Sequence, residues 1–157
     1  MEILLEEEVL LRPEDTGTTV WMPFRLEKPA GMLQIHFSYG PKIVEDRELC
    51  RKLLLAGAEK YGVPELLDGR EEELEKFLPL TNLVTIGLRG PEGFVGCAHR
   101  PAPEQIHRIT AERSSPGFLP CPVKAGEWRI AVQVHGVFTP ECRCRIQAEA
   151  GEGGMDL

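Results

Sequence analysis

The chain has 157 residues, of which 42% are hydrophobic and 27% charged, with a formal net charge of −7. Since domains cluster at ~100–150 residues, this length supports one good core; the composition is too apolar for disorder, too acidic for a general nucleic-acid binder, and free of any apolar run able to cross a bilayer. Gly 16 and Pro 13, without a Gly-x-y period, imply many turns and therefore a β-rich domain.

At the N-terminus, MEILLEEEVLL carries acidic residues where a secretory signal needs positive charge. This predicts a cytoplasmic protein, and the odd number and irregular spacing of Cys50, Cys97, Cys121, Cys142 and Cys144 predict reduced thiols. EILLEEEVLL is itself a weak strand candidate. In TTVWMPFRLE, Thr18, Val20, Met22, Phe24 and Leu26 fall on one face and Trp21, Pro23 and Arg25 on the other, the period of a half-buried strand. Pro23 then predicts an edge or a bulge, because proline has no N–H for a ladder. MLQIHFSY repeats the alternation, with Leu33, Ile35, Phe37 and Tyr39 opposite Gln34, His36 and Ser38.

Helical spacing interrupts this rhythm from Asp46 to Tyr61, where Leu49, Leu53, Leu54, Ala58 and Tyr61 share a stripe. Asp46 is the expected N-cap, and Gly62 with Pro64 the stop. A second helix is predicted from about Gly69 to Leu78, opened by Asp68 and Glu71 and closed by Pro79. NLVTIGL, QIHRITAE, EWRIAVQVH and CRCRIQAE supply four more strands. In EWRIAVQVH, Trp128, Ile130, Val132 and Val134 face in while Arg129, Ala131, Gln133 and His135 face out; in CRCRIQAE, Cys142, Cys144, Ile146 and Ala148 face in. Seven antiparallel-looking strands predict a mainly β, two-sheet antiparallel sandwich, jelly-roll-like, over residues 1–150, with a helical insertion at 46–78 and a disordered tail at 151–157. Charge is uneven: residues 1–88 carry −7, 89–145 carry +3 and 146–157 carry −3.

Candidate chemistry is sparse. Cys97 with His99, and Cys142 with Cys144, are weak zinc-ligand pairs, since structural zinc sites show tighter paired spacing; no metal and no cofactor are expected. The four aspartates all have turn, cap or tail uses, and neither a His-x-His nor an Asp-rich loop supplies a two-metal hydrolase. No Gly-x-Ser-x-Gly elbow or phosphate loop is present. Cys121, between Pro120 and Pro122, and His99 are the residues a small enzyme would use, but the chain is expected to be non-catalytic. Gln34, His36, Arg129, Gln133 and His135, with Trp21 nearby, are candidate ligand-binding residues for a sugar or other small molecule on the solvent face.

Two stretches, NLVTIGLRGPEGFVGCAHR and SSPGFLPCPVKAGEWRIAVQVHGV, together with PAGMLQIHFSYGPK, resemble a known family. The elements concerned are Pro91, Gly93, Phe94 and Gly96, then Pro116, Gly117, Phe118, Leu119, Pro120 and Pro122, and finally Ala125, Gly126 and Trp128. They are similar to the β-sandwich region that precedes the metal-binding domain in bacterial PHP-type metal-dependent phosphoesterases, and the likeness spans about residues 18–149. Cys121 stands where that pattern has glycine. The resemblance implies an accessory module without the catalytic half, whose catalytic domain opens with His-x-His. It supports a separately encoded PHP-type hydrolase or self-association, with no nucleic-acid or membrane partner. The alternatives are a stand-alone carbohydrate or small-ligand module and a small metal-dependent hydrolase.

Overall fold

A computed structural model describes residues 1–62 and 75–153. The described residues form eight strands, one more than alternation predicts: β1 (Glu2–Leu11), β2 (Thr19–Leu26), β3 (Met32–Gly40), β4 (Leu83–Gly90), β5 (Gly93–Ala98), β6 (Glu104–Ile109), β7 (Gly126–Gly136) and β8 (Cys142–Gly151). They make two antiparallel four-stranded sheets, ordered β1-β8-β3-β6 (sheet A) and β2-β7-β4-β5 (sheet B). The protein is thus a two-sheet β-sandwich with one described helix, α1 (Arg47–Tyr61), inserted between β3 and β4. Pairing is nested, β1 with β8, β2 with β7, β3 with β6 and β4 with β5.

Burial follows the period-two pattern. Met22, Phe24, Leu26, Leu33, Ile35, Phe37, Trp128, Ile130, Val132, Cys142, Cys144 and Ile146 interdigitate between the sheets, and Trp128 is secured by its indole N–H, which donates to the Lys124 carbonyl at 2.9 Å. Pro23 sits on β2, an edge strand, where its missing N–H costs no ladder bond. Asp46 caps α1, its carboxylate accepting from the Leu49 N–H at 3.0 Å, and Gly62 closes it in the left-handed conformation. α1 buries only Cys50 and Ala58, and Ala58 packs with Leu54 and Leu55 in a cluster apart from the main core.

Strand β5 is the element that alternation does not reveal. GFVGCA has glycines at 93 and 96, and Gly96 is needed because residues 117–119 cross over it: the Cys97 N–H donates to the Gly117 carbonyl at 3.0 Å and the Leu119 N–H to the Val95 carbonyl at 2.8 Å. A Cβ on Gly96 would lie 2.3 Å from the Gly117 oxygen and 2.5 Å from Phe118 Cα. Most of the helix predicted from about Gly69 to Leu78 lies outside the described residues. β8 extends to Gly151, the first residue of the stretch expected to be a disordered tail, and its carbonyl accepts from the Gly31 N–H at 3.0 Å; residues 154–157 lie outside the described residues. Among the described residues no helix is long and apolar enough to cross a membrane.

Candidate functional site

The five residues expected to line one ligand face are divided between two. Gln34 and His36 project from β3 on the outside of sheet A, whereas Arg129, Gln133 and His135 project from β7 on the outside of sheet B. The whole core lies between them, so they do not form a common platform. Alternation along each strand is legible, but which sheet a strand joins is decided by long-range pairing.

On sheet A the polar side chains are largely engaged with one another. Arg108 Nε donates to Gln34 Oε1 at 2.7 Å, Gln34 Nε2 lies 2.8 Å from His36 Nε2, and His36 is 3.9 Å from Glu149. Glu8 bridges Arg143 and Arg145 at 3.1 and 3.0 Å. A broad, open depression of about 770 Å³ lies alongside, bordered by Glu6, Glu8, His36, Glu104, Ile106 and Arg145.

Sheet B is different in kind. Strand register sets Trp21, Ala131, Gly87 and Cys97 in one row across its outer face, and Pro23, Arg129, Arg89 and Phe94 in the next. Trp21 is 46% exposed, with the Arg129 guanidinium carbon 5.5 Å and that of Arg89 5.9 Å from its ring centre. Since Arg89 is on β4, the strand beyond β7, this contact spans β7 at its small outward residue Ala131, which is buried although it faces out. Arg129 and Trp21 are legible from alternation; Arg89 lies just past NLVTIGL, and Phe94, part of the resemblance, is placed on this face only by the pairing of β5 with β4.

Beyond that row is a polar cluster. Gln133 Oε1 accepts from Thr85 Oγ1 at 2.9 Å and from Cys97 Sγ at 3.1 Å, and Thr85 Oγ1 lies 2.8 Å from His135 Nε2. A hydroxyl has one proton; given to Gln133, it leaves Thr85 to accept from His135, which assigns the proton to Nε2. His99 Nδ1 is 4.0 Å from Cys97 Sγ, and the His99 and His135 ring centres are 6.2 Å apart. Burial raises the Cys97 thiol pKa, against the lowering effect of the Gln133 bond, so Cys97 is held as a donor thiol rather than as a nucleophilic thiolate. Cys121 is shifted the same way, by burial and then by the Glu92 charge.

The expected metal ligands are not brought together. Cys142 and Cys144 are wholly buried on the inner face of β8 in sheet A, while Cys97 and His99 are on the outside of sheet B. Burial, helped by Cys142, pushes the Cys144 thiol up to about 12. Among the described residues no group of three or more His, Cys, Asp and Glu is gathered to hold a metal ion. Of the histidines, only His99 and His135 are neighbours; His36 is outside sheet A, and His107 is in the interior against Phe118.

At one margin of sheet B, the turn between β4 and β5 and the loop at residues 119–124 enclose a cleft of about 270 Å³, bordered by Pro91, Phe94, Leu119, Pro120, Cys121 and Trp128. Phe94 and Leu119, which both border this cleft, are 62% and 61% exposed, and it is apolar side chains grouped in this way, rather than scattered singly, that mark a surface for contact. Lys124 and Glu92 pair across the rim at 2.5 Å. The chain matches no protein-family model and no curated protein.

Proposed function

We propose that this chain is a non-catalytic β-sandwich accessory module that docks onto and supports a separately encoded PHP-type metal-dependent phosphoesterase. The observation that carries this reading is the cleft beside sheet B. Segments 90–96 and 116–128, distant in sequence and bearing most of the family resemblance, meet there and expose Phe94 and Leu119. Buried apolar anchors ringed by polar contacts are how protein interfaces concentrate binding energy. We also read the nested strand pairing as a jelly roll, the arrangement expected from the sequence.

The test is association of the purified chain with a PHP-type catalytic domain lacking its own sandwich region, followed by analytical ultracentrifugation. Binding is expected, and Phe94→Ser and Leu119→Ser, both at exposed positions, weaken it by about tenfold or more while leaving the thermal melt unchanged. No complex at about 100 µM of each protein counts against docking. Metal-dependent turnover by the chain alone, lost on chelation, replaces the accessory reading with a hydrolase.

A further inference from the structure

Arg89 and Arg129 stand directly opposite each other on β4 and β7. Like charges in that position repel, so a sheet face carries such a pair at a cost unless something neutralises it. Arg129 has only a loose, exposed contact with Glu127, at 3.9 Å. Arg89 has no carboxylate within ion-pairing distance among the described residues; its guanidinium lies against the ring of Trp21, shared with Arg129. Half the indole is open to solvent, and Phe94 continues the row beside Arg89. Two cations and two exposed aromatic rings are thereby gathered on one flat face of a chain that is otherwise acidic.

We propose that this face receives an acidic segment of a protein partner, whose carboxylates take the Arg89 and Arg129 forks while an apolar side chain lies against Trp21 and Phe94. This deepens the docking reading and rests on it for the nature of the occupant. Guanidinium groups match carboxylates by paired N–H donors, and the positive face complements a negative partner. An open sheet face gives a small molecule little burial, whereas Trp and Arg are the residues on which protein interfaces turn. A nucleic-acid strand would need a longer run of cations than this pair.

The test needs no hydrolase. The full chain is titrated with a Leu-containing Asp/Glu-rich peptide, its Asn/Gln counterpart and a single-stranded oligonucleotide, and tryptophan emission is followed; Trp128 is buried, so Trp21 reports. A saturable change is expected with the acidic peptide, weakening as salt is added and absent in Trp21→Phe. Binding about tenfold weaker is expected for the amide peptide and for Arg89→Glu/Arg129→Glu, with partial retention in Arg89→Lys/Arg129→Lys. Equal binding of the amide peptide, no response to the acidic one, or tighter binding of the oligonucleotide overturns the inference. If the peptide binds and the hydrolase domain does not, the carboxylate receptor stands and the hydrolase reading falls. The reverse result removes the receptor and leaves docking intact.

Discussion

His107 is a titratable side chain buried on the inner face of β6. QIHRIT reads as a strand, and alternation puts His107 inward with Ile109; the ring is buried, its Nε2 lies 2.7 Å from Gln105 Oε1, and its buried Nδ1 has no hydrogen-bond partner. Burial above all, then the Arg100 charge, lowers its pKa from 6.5 to about 4. Between those values the unfolded chain binds a proton that the folded chain refuses, so stability rises with pH across the window. The contribution is complete above about pH 6.5 and is lost as the pH falls toward 4, amounting to about 3 kcal/mol. Urea unfolding at pH 7 and pH 4.5 checks this: His107→Leu should narrow the difference between the two, and an unchanged difference would place the acid sensitivity elsewhere. Two glycines make a contrasting pair. Gly96→Ala drives a methyl group into the Gly117–Phe118 backbone and should cost about 2–4 kcal/mol. Gly57→Ala, within α1 and with open space around it, should gain about 0.5–1 kcal/mol. Denaturant midpoints moving in the same direction for both would contradict the described packing.

Among the elements, those read correctly from sequence are those whose local signals agree with their tertiary role. β2, β3, β7 and β8 alternate cleanly because each has one face in the core, and α1 is bounded by a true cap and a left-handed glycine. β5 escaped because its glycines answer to a crossing segment rather than to strand propensity. The candidate site was half legible for the same reason: outward residues could be recognised, but partnership of β2, β7, β4 and β5 in one sheet is a long-range fact, and it separates Gln34 and His36 from Arg129, Gln133 and His135. Asn82 shows how the ends are tied where strand pattern stops. Wholly buried before β4, it donates to the Pro41 carbonyl at 2.9 Å and Thr139 Oγ1 at 2.8 Å, and accepts from the Phe138 N–H at 2.8 Å. Asn82→Ala removes all three bonds and leaves the Phe138 N–H without its partner, while Thr139 Oγ1 keeps its bond to the Glu141 carbonyl; it should cost about 2–4 kcal/mol, visible as a lower thermal midpoint. A change under about 0.5 kcal/mol would mean that water replaces all three bonds.

At the scale of the whole molecule, the five thiols divide into classes that report different openings. Cys97 and Cys121 are partly exposed, while Cys50, Cys142 and Cys144 are buried. Cys142 and Cys144 lie on β8, which is paired on one side with β1 and on the other with β3, so exposing them requires sheet A to come apart. Cys50 belongs to α1, whose small apolar cluster is separate from the main core; its Sγ rests 3.5 Å from the Val44 carbonyl. Local stability follows such packing, and α1, held among the described residues by its cap, the Arg47–Glu75 pair and a satellite cluster, is expected to open before a central strand does. In native buffer a maleimide should therefore modify Cys97 and Cys121 first, slowly at neutral pH because both thiol pKa values are raised. Cys50 should follow at a rate set by local opening, and Cys142 and Cys144 only at the rate of global unfolding. Mass spectrometry of the labelled peptides along a urea series separates the classes. Asp46→Ala, which removes the cap of α1, should speed Cys50 labelling about fivefold, as expected for a loss near 1 kcal/mol, and leave the β8 thiols almost unaffected. Simultaneous acceleration of all three buried thiols would show instead that helix and sandwich unfold as one unit.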